Sequence, residues 1–164
     1  MNPFRAYLII FALCISTQSY SALDPEQKRV FEELKAKAIS GDPESQHKMG
    51  LWYLVGHEPG IPKTDKKSAE LWFLKAADKG FKESFRQLSS IYYDKFAYSK
   101  ERNPNDLAES HKWRLLEINN DEAMKKTEFI GVFPLSEKTR ADGEARAKKF
   151  RADRLNKDSK TSGK

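Results

Sequence analysis

Cysteine is nearly absent: the only one in 164 residues is Cys14, in an apolar run near the start of the chain. Beyond that run the chain can form no disulfide and offers no thiolate nucleophile or thiolate metal ligand, so its stability must come from packing. Histidine is scarce as well. His47, His57 and His111 fall on separate predicted elements and share no ligand spacing such as i, i+4, and His47 reads as a surface or groove residue rather than a metal ligand. No serine stands in a glycine-flanked elbow, and no glycine-rich loop could cradle a phosphate. The common catalytic constellations are therefore missing. The chain is expected to be no enzyme, with no catalytic residue, no cofactor and no metal. Alternation of apolar and polar residues is lacking too, so no strand is predicted and the expected fold is all-α.

What is present begins with a leader. Arg5 precedes an unbroken apolar run over residues 6–15, followed by small polar residues, which is the pattern of a secretory signal peptide. The run is too short to span a bilayer and nothing later is apolar enough to do so, so no transmembrane segment is expected. Cleavage fits best after Ser21, with Ala22 as the alternative. Leu13 before Cys14 argues against a lipoprotein. Cleavage after Ser21 would leave 164 − 21, or 143, residues, enough for one domain with a modest core in the periplasm or outside the cell.

The formal charge of +6 is local. Residues 146–164 hold eight Lys or Arg against two Asp. Setting aside Arg5 as well, residues 23–145 keep 30 − 8 − 1 = 21 cations against 24 − 2 = 22 anions. A neutral body with a basic end gives no reason to expect nucleic acid as a partner.

Helix start and stop signals are dense. Asp24-Pro25-Glu26 opens a helix that runs to Ile39 and stops at Ser40-Gly41. Asp42-Pro43-Glu44 opens a second, ending near Gly56. His57-Glu58-Pro59-Gly60-Ile61-Pro62-Lys63 must be a loop. Thr64 or Asp65 caps a third helix, closed by Gly80. A fourth spans about 82–96, and Asn103-Pro104 opens a fifth that reaches Ile118. Asp121 starts a shorter helix, residues 131–134 break it, and Leu135-Ser136-Glu137 starts the last, which should fray beyond Phe150.

The chain also repeats itself. Gly41 and Gly80, Ala38 and Ala77, Met49 and Leu88, and Tyr53 and Tyr92 each stand 39 apart. Two extra loop residues make the next matches 41 apart: Trp72 and Trp113, Asp65 and Asp106, Ala69 and Ser110. Each unit would be two antiparallel helices. In stacked helical pairs, small residues such as Gly50, Ala69 and Ala76 permit close approach while Met49, Tyr53 and Trp72 fill the remaining gaps. Gly80 supplies the left-handed residue that turns the chain into the next helix.

The series Met49-Gly50, Tyr53, Gly56, Gly60-Ile61, Asp65, Ala69, Trp72, Lys75-Ala76-Ala77 and Gly80 resembles the Sel1-like repeat family, relatives of the tetratricopeptide repeats. The resemblance implies a short right-handed α-solenoid of antiparallel helix pairs. Its expected organisation is a signal peptide at 1–22, an N-terminal capping helix at 23–41, one repeat at 42–80, and a degenerate repeat at 81–120. C-terminal capping helices at 121–150 and a basic flexible tail at 151–164 complete it. The second unit departs from the pattern: Ser89 replaces the helix glycine, Lys95 or Phe96 the loop glycine, and Glu117 and Ile118 the alanine pair. Its joint should be wider or differently angled. The cysteines that some relatives pair within each repeat are missing, and the β-lactam binding linked to those relatives is not carried over.

By tetratricopeptide-like geometry, the resemblance implies a concave groove lined by Glu44, His47, Leu51 and Leu54, then Glu83, Arg86, Ser90 and Tyr93. This mixture of apolar, aromatic and charged groups suits a protein or peptide partner better than a small ligand. Trp52, which the repeat pattern does not require, is either a partner's anchor or a residue packed on the preceding helix. The leading expectation is an exported adaptor. An immunity protein against a periplasm-acting type VI phospholipase effector is one alternative, and a binder of anionic surfaces through the basic tail is another. Neither the partner nor the oligomeric state is legible.

Overall fold

The computed structural model describes residues 25–56, 63–118, 129–130 and 133–161. The expected leader, most of the loop after Gly56, the helix from Asp121 and the last three residues lie outside them. Six helices are described: α1 (Pro25–Ser40), α2 (Pro43–Val55), α3 (Lys66–Asp78), α4 (Lys82–Tyr98), α5 (Pro104–Ile118) and α6 (Glu137–Thr161). The main contacts run between helices that are consecutive among those described. The fold is all-α, apart from one small ladder described below.

The helix signals act as their chemistry requires. The Asp42 carboxylate accepts from the Ser45 amide at 2.8 Å, and Asp65 accepts from the Lys67 and Ser68 amides at 3.0 and 3.1 Å. Gly41 and Gly80 have φ of +99° and +82°, the left-handed turn that closes α1 and α3 and lets α2 and α4 start at once.

The core shows the same like-for-like positions as the sequence. Ala38 and Ala77 are buried, as are Met49 and Leu88, while Tyr53 and Tyr92 are half-buried. At the α2–α3 joint a Cβ on Gly50 would lie 2.6 Å from the Phe73 ring, so glycine is what lets that ring in. Phe73, not Trp72, is therefore the wholly buried aromatic of α3. Trp72 is half-buried, packed toward Phe31, Ala38 and Met49, with the Lys75 ammonium 4.1 Å above its ring. Its counterpart Trp113 is buried, because two aromatics cover it: Phe85 at 5.7 Å and Phe150 of α6 at 5.2 Å, centroid to centroid. Among the described residues, Trp72 has α1 on the corresponding side.

Three features differ from expectation. Phe129–Ile130 (β1) and Phe133–Pro134 (β2) form a two-residue antiparallel ladder, pairing Phe129 with Pro134 and Ile130 with Phe133. Strands this short leave no period-two pattern to read. Next, α6 does not fray after Phe150 but continues to Thr161, so most of the expected flexible tail is helix. Lys157 of that extension bonds Asp78 at 2.6 Å.

Finally, α6 runs in the same direction as α5. Leu135 packs with Leu107, Gly143 faces Ala108 and His111, Phe150 meets Trp113, and Arg151 donates to the Leu115 carbonyl at 3.3 Å. Parallel neighbours cannot be joined by a tight turn. This is why eighteen residues, 119–136, separate the two helices. Past the end of α5, α6 reaches the α3–α4 turn, where the Arg154 guanidinium lies against Gly80.

Candidate functional site

The sequence-derived groove residues lie on α2 and α4, which touch directly: His47 Nδ1 and Ser84 Oγ are 2.9 Å apart. The structure divides these residues into two sets. Glu44, Glu83, Arg86 and Ser90 are exposed. His47, Leu51, Leu54 and Tyr93 are half-buried and have packing duties.

The His47 ring packs between Phe73 and Phe81, at centroid distances of 5.3 and 5.1 Å. Burial pushes its imidazole below the ordinary histidine range, with Glu83 pulling the other way. A serine–histidine contact invites comparison with a nucleophile and its base, but Ser84 is buried and no substrate carbonyl could reach its hydroxyl. The pair joins two helices.

Leu51 and Leu54 pack on the main core, and Tyr93 packs on Phe133 at 5.8 Å. These side chains are half-buried against neighbouring elements. Trp52 is stacked on Phe31 of α1 at 5.6 Å with an interplanar angle of 11°. Of the two roles open to it, packing on the preceding helix is the one that this contact serves.

Three of the four exposed residues are charged. The Arg86 side chain is 74% exposed, yet its Nε donates to Glu117 Oε1 at 2.6 Å. Glu117 is only 14% exposed and also accepts from Arg114 at 3.3 Å. A sheltered carboxylate thus holds two arginines at the α4–α5 edge and raises the Arg86 guanidinium above its ordinary range. Glu44 pairs with Lys48 at 2.6 Å within α2. The Glu117 contribution was missed in the sequence, where the residue registered only as a lost alanine.

On the α3–α4 seam a recess of about 310 Å³ is lined by Lys66, Glu70, Asp94, Lys95 and Tyr98, among others. Four of its charged side chains pair with one another, Lys66 with Asp94 at 3.3 Å and Lys95 with Glu70 at 2.6 Å, and Lys67 adds a further cation to the lining. Burial, followed by the Glu70 carboxylate, holds the nearby Tyr92 phenol above the ordinary tyrosine range, so it stays protonated at neutral pH. Among the described residues no group of three or more His, Cys, Asp or Glu could hold a metal ion, and no helix is long and apolar enough to cross a membrane. No family model, no curated protein and no solved structure matches the chain.

Proposed function

We propose that the chain is a short Sel1-like array, exported by a cleaved leader, that binds a protein partner through the exposed face of α2 and α4 and performs no chemistry. The observation that carries this reading is Arg86: a mostly exposed guanidinium fixed in place by the sheltered Glu117, flanked by Glu83 and Ser90. An arginine already ordered loses less side-chain entropy on meeting a partner's carboxylate, which is what a binding hot spot requires. The partner expected is a protein whose matching surface is acidic opposite Arg86 and basic opposite Glu44 and Glu83.

The test is capture of partners from a periplasmic extract by the full chain, read by mass spectrometry, against the Arg86→Glu and Glu83→Lys variants. A protein retained by the parent and lost by both variants supports the reading. If every captured protein also binds both variants equally, the α2–α4 face is not the interface. Capture lost only on truncation after Ala145 would transfer the function to the basic end of the chain. An effector among the captured proteins would select the immunity role from the broader adaptor one.

A further inference from the structure

A recess of about 350 Å³ lies where the C-terminal half of α6 passes over the α3–α4 turn, within the size range of small-molecule sites. It shares no lining residue with the Arg86 face. Phe85, Leu116 and Phe150 contribute its apolar wall, and Leu155, 70% exposed, sits at its edge. Around that wall stand three cations, Lys82, Arg151 and Arg154, and one carboxylate, Asp158.

Arg154 is the unusual member. Its guanidinium lies against Gly80, where any Cβ would collide with it, so the glycine that turns the chain also seats the arginine. Half-buried there, Arg154 has no hydrogen bond or ion pair with any described residue. An arginine drawn partly out of water without a carboxylate pays for its desolvation unless an anion arrives. The adjacent N-terminus of α4 has the same electrostatic preference: its cap residue, Phe81, gives no side-chain acceptor to the first amides.

We propose that this recess binds a small amphiphilic anion, an alkyl chain ending in a carboxylate. A neutral apolar guest would cover the exposed parts of Phe150 and Leu155 but leave Arg154 partly desolvated and without an anion. An inorganic anion would meet the cations and leave the exposed parts of Phe150 and Leu155 in water. The alkyl carboxylate satisfies both halves: its chain lies on Phe150 and Leu155, and its head meets Arg154, with Lys82 adding charge.

Calorimetric titration of the full chain with octanoate, 1-octanol and inorganic phosphate tests this directly. Octanoate is expected to bind saturably at one site, at least tenfold more tightly than either octanol or phosphate. Arg154→Gln should weaken octanoate at least tenfold. Lys82→Gln, at an exposed position, should weaken it severalfold and serves as the reading if Arg154→Gln loses helical circular dichroism. Tyr98→Ala, in the α3–α4 recess, should leave it unchanged. The proposal is overturned by non-saturable octanoate binding, by octanol or phosphate binding as tightly as octanoate, or by an affinity indifferent to both cation changes.

Discussion

Ser89 and Ser110 exchange hydrogen bonds across the α4–α5 interface: Ser89 Oγ donates to the Ser110 carbonyl at 3.0 Å, and Ser110 Oγ donates to the Ser89 carbonyl at 2.8 Å. Both side chains are buried. The positions 39 and 41 residues earlier in the sequence are Gly50 and Ala69, both buried, with the Phe73 ring against Gly50. Two hydroxyls thus join α4 to α5 where, between α2 and α3, a glycine admits an aromatic ring.

Because the two serines act as a unit, their deletions should not add. Ser89→Ala and Ser110→Ala should each cost about 1 kcal/mol in urea unfolding, and the double variant clearly less than the sum. Strict additivity would show that the two bonds are independent.

Gly50→Ala should destabilise by about 2 kcal/mol, since the new methyl group must displace the Phe73 ring or push α2 from α3. A Phe73→Leu change in the same chain should recover part of that loss in thermal melts. Equal losses in the Gly50→Ala chain with and without Phe73→Leu would show that the clash is absorbed by something other than the ring.

The two equivalent tryptophans should differ sharply. Trp113→Ala, which empties a closed space between Phe85 and Phe150, should cost about 3–5 kcal/mol. Trp72→Ala, at a half-buried position, should cost roughly half as much. Equal unfolding midpoints would contradict the burial difference.

Acid should weaken the fold through His111. The ring is buried against Gly143, where a Cβ would lie 2.7 Å from its Cδ2, and neither nitrogen has a hydrogen-bond partner among the described residues. Burial first, and then the Arg140 cation, push its pKa down to about 4. The unfolded chain therefore takes up this proton near pH 6.5, before the folded chain does. Stability held above that pH is lost progressively as pH falls toward 4, by about 3 kcal/mol at most. His47, lowered in the same direction, adds to the slope. His111→Leu should flatten most of the decline in pH-dependent unfolding, and an unchanged slope would place the linkage at other groups.

Local chemistry was legible in the sequence. Asp42 and Asp65 cap, Gly41 and Gly80 turn, and α1 to α5 begin and end close to where these signals put them, because each signal acts within a turn or two of itself. Which of two adjacent aromatics is buried was not legible. Trp72 and Phe73 point about 100° apart on one helix, and only the neighbours in space decide between them. The same limit hid the site: Glu44, Glu83, Arg86 and Ser90 are exposed as anticipated, but Leu51, Leu54 and Tyr93 are claimed by the core and by Phe133, partners remote in sequence. The length of α6 was missed because its last turns are polar all round. They gain support from the Lys157–Asp78 contact and the seating of Arg154 on Gly80, which no local pattern announces.

The same-direction packing of α5 and α6 has a consequence for how the chain is made. During synthesis the first five helices emerge with the large faces of Phe85 and Trp113 still uncovered, since Phe150 has yet to be translated. Local contacts can organise the early hairpins, but the sticky aromatic seam waits for the last helix to arrive and lie down alongside it. A chain interrupted before α6 would not be a shorter version of the protein; it would be an aggregation-prone intermediate for chaperones or proteases to handle.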